Sequence, residues 1–397
     1  MKKIFLVDDD PILLRVYKQK LASGGFDVHT AADGLEAVRT LSTGNPDLVI
    51  LDLMMPKLSG VDVLKFIRSH PKIAKVPVIV MTNAFMSDQA RAVNTLGVAR
   101  AIVKGDCTPA LMLEIICQIL GVESSPPGDV ESEPETPAIA DEATVPEAAL
   151  PMSPEDILES TRATLSALRA AHQEFFRDDT PAGRAHHLHQ LYKQVHHLTS
   201  NAALAQCHQV SLLGGAFEAM TYELLDKPQF INPSTIRTIA SAVDMLAVLM
   251  EDARQTQNPE PLTAQVLIVD DDPLALRIAQ VAMGRAKLNS RSTERPLEAL
   301  DMMSTAQYDL ILLDVEMPQM TGFDLCRKLR GIPGYETIPV IYVTSHSHFE
   351  SRAKSILAGG NDLIAKPVFP IELAVKSVLH ILKHRRGTIG LPAEPVA

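Results

Sequence analysis

Short runs of unbroken apolarity mark the two ends of the chain: IFLV (4–7), LVIL (48–51) and VIVM (78–81) near the start, VLIV (266–269), LILL (310–313) and VIYV (340–343) near the end. Segments of helical period lie between them, such as ILLRVYKQKLA (12–22) and LALRIAQVAMG (274–284). Apolarity without alternation marks strands covered on both faces, so each end predicts βα repetition around a parallel sheet. The middle, residues 152–256, keeps a helical period throughout, with capping signals SPED (153–156) and NPST (232–235) at candidate starts. Helices are expected there at about 154–176, 181–205, 207–226 and 233–255, and an antiparallel bundle is their natural packing.

The two ends are copies of one another. Asp8 corresponds to Asp270, an offset of 262, and the offset holds for more than a hundred residues. LVILDLMMPKLSG (48–60) pairs with LILLDVEMPQMTG (310–322), PVIVMTN (77–83) with PVIYVTS (339–345), and AIVKG (101–105) with LIAKP (363–367). Four polar positions recur in step: Asp8 and Asp270, Asp52 and Asp314, Thr82 and Thr344, Lys104 and Lys366. All fall at the carboxyl ends of strands, where doubly wound sheets bind ligands.

The stretch LVDDDP (6–11) sets three carboxylates side by side, and they disfavour one another's ionised form unless solvent or a cation intervenes. Asp10 before Pro11 reads as a helix N-cap with proline at the first helical position. Asp8 and Asp9 need another explanation. Two or three Asp oxygens with water suit Mg²⁺. A carboxylate is also a competent nucleophile toward phosphorus, while a metal, an ammonium and a hydroxyl neutralise a transferring phosphoryl group. The plain alternative is a pair of structural salt bridges in an inert duplicated fold.

These motifs resemble those of two-component response regulators: residues 1–121 and 264–385 look like two CheY-like receiver domains. The resemblance implies a flavodoxin-like fold for each, so the expected architecture is two α/β doubly wound five-stranded parallel sheets flanking an all-α four-helix bundle. It implies that Asp52 and Asp314 are phospho-acceptors. Asp8 and Asp9, and Asp270 and Asp271, would hold one Mg²⁺ per receiver, with the carbonyls of Met54 and Glu316 as further ligands. Thr82 and Thr344 would hydrogen-bond the phosphoryl group, and Lys104 and Lys366 would pair with it. Departures are visible too. Gly105 stands where Pro367 follows the lysine in the second copy, and Ala101 and Leu363 replace the aromatic residue usual three positions before that lysine. Met54 and Ala84 differ from Glu316 and His346 at positions that tune phosphoryl lifetime, so the two sites are expected to hold phosphate for different times.

Charge and composition set the boundaries. Residues 121–151 hold eight acidic residues, six prolines and no Lys or Arg, which cannot bury enough apolar surface to fold, so an acidic Pro-rich linker is expected at 122–151. A short linker at 257–263 and a flexible tail at 386–397 complete the expected domain map. The acidic linker supplies −8 of the formal −11, leaving no basic footprint for nucleic acid. No run of eighteen apolar residues and no CxxC spacing among the four cysteines are present. Neither a membrane span nor a signal peptide is expected, and a reduced cytoplasmic location fits.

The second middle helix reads HHLHQLYKQVHHLTSNAALA from His186 to Ala205. Leu188, Leu191, Val195, Leu198 and Ala202 form its core stripe, with His196 and His197 on opposite flanks, both expected to reach solvent. This resembles the H-x-L-K-G-x-A motif of histidine-containing phosphotransfer domains (HPt), which implies that residues 152–256 form such a domain with His196 as acceptor. His197 is the rival. Thr199 and Ser200 stand where lysine and glycine are usual, and Lys193 is placed to supply the missing charge. A metal site among His186, His189, His196 and His197 is the other reading of this face, although no acidic or Cys ligand accompanies them in that helix.

The expected function is therefore a phosphorelay intermediate without a kinase catalytic domain. Its partners would be a sensor histidine kinase and other receiver or HPt proteins, with pairing through receiver faces open. The rival expectation is a phosphorylation-gated adaptor whose bundle is chemically silent and binds partner proteins.

Overall fold

The computed structural model describes residues 1–55, 58–82, 93, 95–104, 107–122, 154–178, 180–255, 261–345 and 358–387. Most of the acidic linker, Ala84, Gly105, His346 and most of the tail fall outside them. The first sheet lies in one compact unit; the second sheet lies in another, together with most of the helical segment.

In the first unit, β1 (Lys3–Val7), β2 (Asp27–Ala31), β3 (Leu48–Asp52), β4 (Val78–Thr82) and β5 (Arg100–Val103) form a sheet in the order β2-β1-β3-β4-β5. Every pairing is parallel. The helices α1 (Pro11–Ser23), α2 (Gly34–Thr43), α3 (Gly60–Ser69) and α4 (Pro109–Leu120) accompany it. Strands β3 and β4 are buried at every residue, as unbroken apolar runs require. Asp10 caps α1 as its sequence predicts, accepting from the Ile12 and Leu13 amides at 2.8 and 3.2 Å.

Four further helices follow: α5 (Pro154–Arg177), α6 (Pro181–Leu204), α7 (His208–Asp226) and α8 (Pro233–Gln255). Their bounds fall within one residue of the periodicity-based ranges. Asn232 caps α8, accepting from Ser234 and Thr235 amides at 2.8 and 3.2 Å. The core stripe of α6 (Leu188, Leu191, Val195, Leu198 and Ala202) is fully buried. Close approach of α7 to α6 depends on Gly214, where a Cβ would stand 2.5 Å from Thr199 Oγ1. Helix α8 is long and apolar enough to cross a membrane, with mean hydropathy 1.2, but over half of that stretch is buried inside the protein.

The second receiver repeats the first. Strands β6 (Gln265–Val269), β7 (Asn289–Thr293), β8 (Leu310–Asp314), β9 (Val340–Thr344) and β10 (Asp362–Ala365) run β10-β9-β8-β6-β7, the same order, all parallel. They are accompanied by α9 (Pro273–Arg285), α10 (Pro296–Thr305), α11 (Gly322–Leu329) and α12 (Pro370–Arg385). Helix α12 is buried almost all round, because one face meets α9 and others meet α7 and α8. Two of its buried charged groups find partners: Glu372 Oε1 accepts from Ser234 Oγ at 2.6 Å and Thr238 Oγ1 at 3.2 Å, and Lys376 Nζ reaches Asp362 Oδ2 at 2.7 Å. Phe369 stacks on Phe230 at 4.6 Å and 8°. The second receiver and α7–α8 thus share one core.

One further duplicated device was not evident from the repeat motifs. Arg68 and Arg330, again 262 apart, staple the lead-ins of the last two strands of each sheet. Arg68 donates to the carbonyls of Val76 (3.0 Å) and Leu96 (2.9 Å); Arg330 donates to those of Ile338 (2.7 Å) and Gly359 (3.1 Å). Burial lowers the pKa of both guanidinium groups. Lysine cannot reproduce this fork. Arg330→Lys is expected to leave buried carbonyls unsatisfied and to cost about 1–3 kcal/mol, read as a lowered urea midpoint for the transition that includes the second receiver; an unchanged midpoint would show that the staple is dispensable.

Candidate functional site: two acidic clusters at the sheet switch points

Strand order reverses between β1 and β3 in the first sheet, and between β6 and β8 in the second, opening a crevice at their carboxyl ends. Parallel register then decides what meets there. Val7 pairs with Leu51, so Asp8 and Asp52 emerge side by side; Thr82 pairs with Val103, so Lys104 follows one residue later. The second copy matches: Val269 pairs with Leu313, and Thr344 with Ala365.

In each cluster one lysine bridges two aspartates. Lys104 Nζ lies 2.9 Å from Asp8 Oδ2 and 3.1 Å from Asp52 Oδ2. Lys366 Nζ lies 2.9 Å from both Asp270 Oδ2 and Asp314 Oδ1. Asp8, Asp52, Asp270 and Asp314 are all buried, as are Thr82 and Thr344 at the ends of β4 and β9. Ligand oxygens of Asp8, Asp9 and Asp52 lie within 4.8 Å of one another, as do those of Asp270, Asp271 and Asp314. Three carboxylates so close form an all-oxygen donor set that fits a hard divalent cation. The remaining expected ligand positions, Met54 and Glu316, directly follow the acceptor strand, and the Glu316 amide donates to Asp314 Oδ2 at 2.9 Å.

Tight loops hold these groups in place. The Asp10 and Asp272 amides donate to Asp8 Oδ1 and Asp270 Oδ1, each at 3.0 Å, fixing the first carboxylate of each cluster. Behind the acceptor strand, Gly60 and Gly322 approach so closely that a Cβ would stand 2.0 and 2.1 Å from the carbonyl oxygens of Asp52 and Asp314. These glycines end the quoted LSG and MTG repeats, and their packing role was legible only as recurrence.

Sequence placed His196 on an exposed flank, and the structure corrects this: the residue is 1% exposed. Its Nδ1 lies 2.8 Å from Glu218 Oε1 of α7, and its ring stacks on Tyr192 at 6.0 Å. A helical wheel sees only its own helix and cannot anticipate a carboxylate reaching over from the next. The signal was present, since Glu218 interrupts the otherwise apolar stretch GGAFEAM. Thr199 and Ser200 are buried as well, with Thr199 Oγ1 donating to the Val195 carbonyl at 2.8 Å. His197 is half-buried. Among the described residues, the four α6 histidines do not gather into a metal-sized group of their own.

A model of the response regulator receiver domain matches residues 4–116 and 266–377, more than half of the chain. The chain belongs to that family. Receiver domains accept phosphoryl groups, bind Mg²⁺ at an acidic pocket and work with histidine kinases or phosphotransfer proteins. An uncharacterized 14.6 kDa protein of Leptolyngbya boryana is 33% identical over 108 residues, which are 27% of this chain and 82% of that protein. The alkaline phosphatase synthesis transcriptional regulatory protein PhoP of Bacillus subtilis is 40% identical over 81 residues, 20% of this chain; the chain spans only 33% of its length. A receiver domain of a sensor histidine kinase from Pseudomonas aeruginosa, with magnesium coordinated in its active-site cleft, is 27% identical, covering 30% of this chain and 98% of its own, at a TM-score of 0.29.

Burial pushes the Asp314 carboxyl above its ordinary value, and neighbouring Asp270 adds to this against the pull of Lys366. Burial disfavours the Lys366 ammonium, but its bonds to Asp270 and Asp314 prevail and raise its pKa. For an acid with a raised folded pKa, the contribution to stability is full below the unfolded value and is lost as pH rises through the folded one. In the metal-free chain, carboxyl ¹³C titration is expected to place Asp314 above about 3.9, and Lys366→Met to raise it further. A downward move in that variant would contradict the pairing.

Proposed function

We propose that this chain is a phosphorelay hub: Asp52 and Asp314 accept phosphoryl groups, and His196 exchanges them with one or both aspartates or with an external receiver. The domain map that follows is a receiver at 1–121, an acidic linker, a phosphotransfer domain at 152–256 and a second receiver at 264–385. The observation that carries the relay is the His196–Glu218 pair. Hydrogen bonding at Nδ1 selects the tautomer whose Nε2 lone pair is the nucleophile.

In the receivers, Asp8, Asp9, Asp52 and the Met54 carbonyl, and Asp270, Asp271, Asp314 and the Glu316 carbonyl, would hold Mg²⁺. The bound ion neutralises charge on the phosphoryl oxygens. A carboxylate oxygen of Asp52 or Asp314 attacks phosphorus of a sensor kinase phosphohistidine; the P–N bond breaks and the imidazole leaves. Lys104 or Lys366 then turns from its aspartate partner toward the phosphoryl group, joined by the hydroxyl of Thr82 or Thr344. For onward transfer, His196 Nε2 attacks the same phosphorus, the P–O bond breaks, and the aspartate returns to its carboxylate form. The Nδ1 proton stays on the imidazole, where Glu218 stabilises the positive charge that develops during attack.

The Thr199 and Ser200 substitutions in the His196 motif favour the second reading, a phosphorylation-gated adaptor whose helices only bind partners. Labelling with a small phosphodonor and Mg²⁺ separates the two, because acyl phosphates are alkali-labile and phosphohistidine is acid-labile. The relay requires alkali-stable label that disappears in His196→Ala and in the Asp52→Ala, Asp314→Ala double variant. Glu218→Gln is expected to slow its formation by roughly 10²-fold or more while leaving the aspartyl label intact. Wholly alkali-labile phosphate in the unmodified chain, even with a cognate kinase supplied, would overturn the relay and leave the adaptor.

A further inference from the structure

The second receiver contains a cavity of about 250 Å³ beneath α9, walled by Ala275, Ile278, Ala279, Leu312, Val343 and Leu373. At one end, where the strands of the second sheet finish, stand Asp270, Asp314 and Lys366. Apart from that end, the walls are almost wholly apolar.

The first receiver serves as an internal control for what this space ordinarily holds. At the offset of 262, Ala275 corresponds to Leu13, Ala279 to Tyr17 and Val343 to Met81. Those larger residues are 3%, 2% and 0% exposed, and all belong to the core packed against β1, β3 and β4. Tyr17 also donates its hydroxyl to the Cys107 carbonyl at 2.6 Å, tying α1 to the loop before α4. The second copy keeps every polar position of the acidic cluster yet has lost all three fillers. Growth elsewhere in the lining does not match the aromatic ring lost at Ala279: Ile278 for Val16 adds one methylene and Pro367 stands for Gly105, while Leu373 for Leu111 and Leu312 for Ile50 conserve volume.

We propose that this cavity is a binding site for a small, uncharged apolar molecule of about the size of an aromatic ring. Paired large-to-small replacements in a core leave dry, apolar spaces, and on the order of 150 Å³ suffices to admit benzene. Wall atoms facing an unfilled space forfeit dispersion contacts, which an apolar ligand restores. Away from Asp270, Asp272, Asp314 and Lys366 the lining is apolar, so a charged ligand seated between α9 and the sheet would lie without a partner. Entry is from the α9 side, where Leu274 lines the cavity and is 67% exposed.

Benzene is the probe, titrated into the full chain while the methyl resonances of Ile278 and Leu373 are followed by NMR. The expected result is a saturable shift at both residues, weakened at least tenfold in Ala275→Leu and in Ala279→Phe, with methyl resonances of the first receiver unmoved. Two variants are used so that one failing to fold leaves the other to decide. An absent or non-saturating shift overturns the proposal, as does a shift that persists undiminished in a folded filled variant. Contacts between the Leu274 methyls and Ala279 in the ligand-free chain would mean that the protein closes the space itself, which also overturns it. Binding is read without phosphorylation, so this site is tested independently of the relay.

Discussion

Everything at the two acidic clusters depends on one electrostatic conflict. Asp8 and Asp52, and Asp270 and Asp314, are buried within reach of a common lysine, whose ammonium offsets the repulsion between the two carboxylates of each pair. Burial first, and the neighbouring Asp270 in addition, raise the Asp314 pKa against the pull of Lys366. A pocket in which charge is only just balanced is one in which adding a phosphoryl group forces a rearrangement. The fold therefore stores a response in the same groups that perform the chemistry.

Duplication has kept this balance and let the surroundings diverge. The same polar frame, one lysine bridging two aspartates, stands at the strand ends of both copies. Beneath the frame, Tyr17 and Leu13 fill one copy where Ala279 and Ala275 leave space in the other. Helix α12 is locked between its own receiver and α7–α8, whereas its counterpart α4 buries one stripe of Met112, Ile115, Ile116 and Cys117. A rearrangement at Asp314 is thus mechanically connected to the helical segment through a shared core, with Glu372, Ser234 and Thr238 at the joint.

Much of this was legible in the chain. Unbroken apolar runs fixed the strands because burial on both faces leaves no polar alternation, and the 262-residue offset singled out Asp, Thr and Lys because strand ends in a parallel sheet converge. Arg68 and Arg330 recur with equal precision, yet they escaped notice because their partners are backbone carbonyls, which have no letter in a sequence. The cavity was hidden for a related reason: Ala279 is unremarkable until the superposed copy shows Tyr17 in its place. Pairwise differences between repeats carry packing information that neither repeat carries alone.

The histidine exposes the limit of periodicity most clearly. A wheel assigns His196 to a flank by its angle to Leu191, Val195 and Leu198, and the angle is right; what the wheel cannot show is that α7 brings Glu218 to that flank. Orientation and access are opposed at such a site. A carboxylate that fixes Nδ1 makes the other ring nitrogen a better nucleophile, while the helix that delivers it narrows the approach. Small residues at Thr199 and Gly214 relieve part of this conflict by letting α6 and α7 close on one another without occupying the space beside the ring with a longer side chain. Thr199 is then intelligible as packing: a lysine at 199 would carry its charge into the helix contact that holds Glu218 in place.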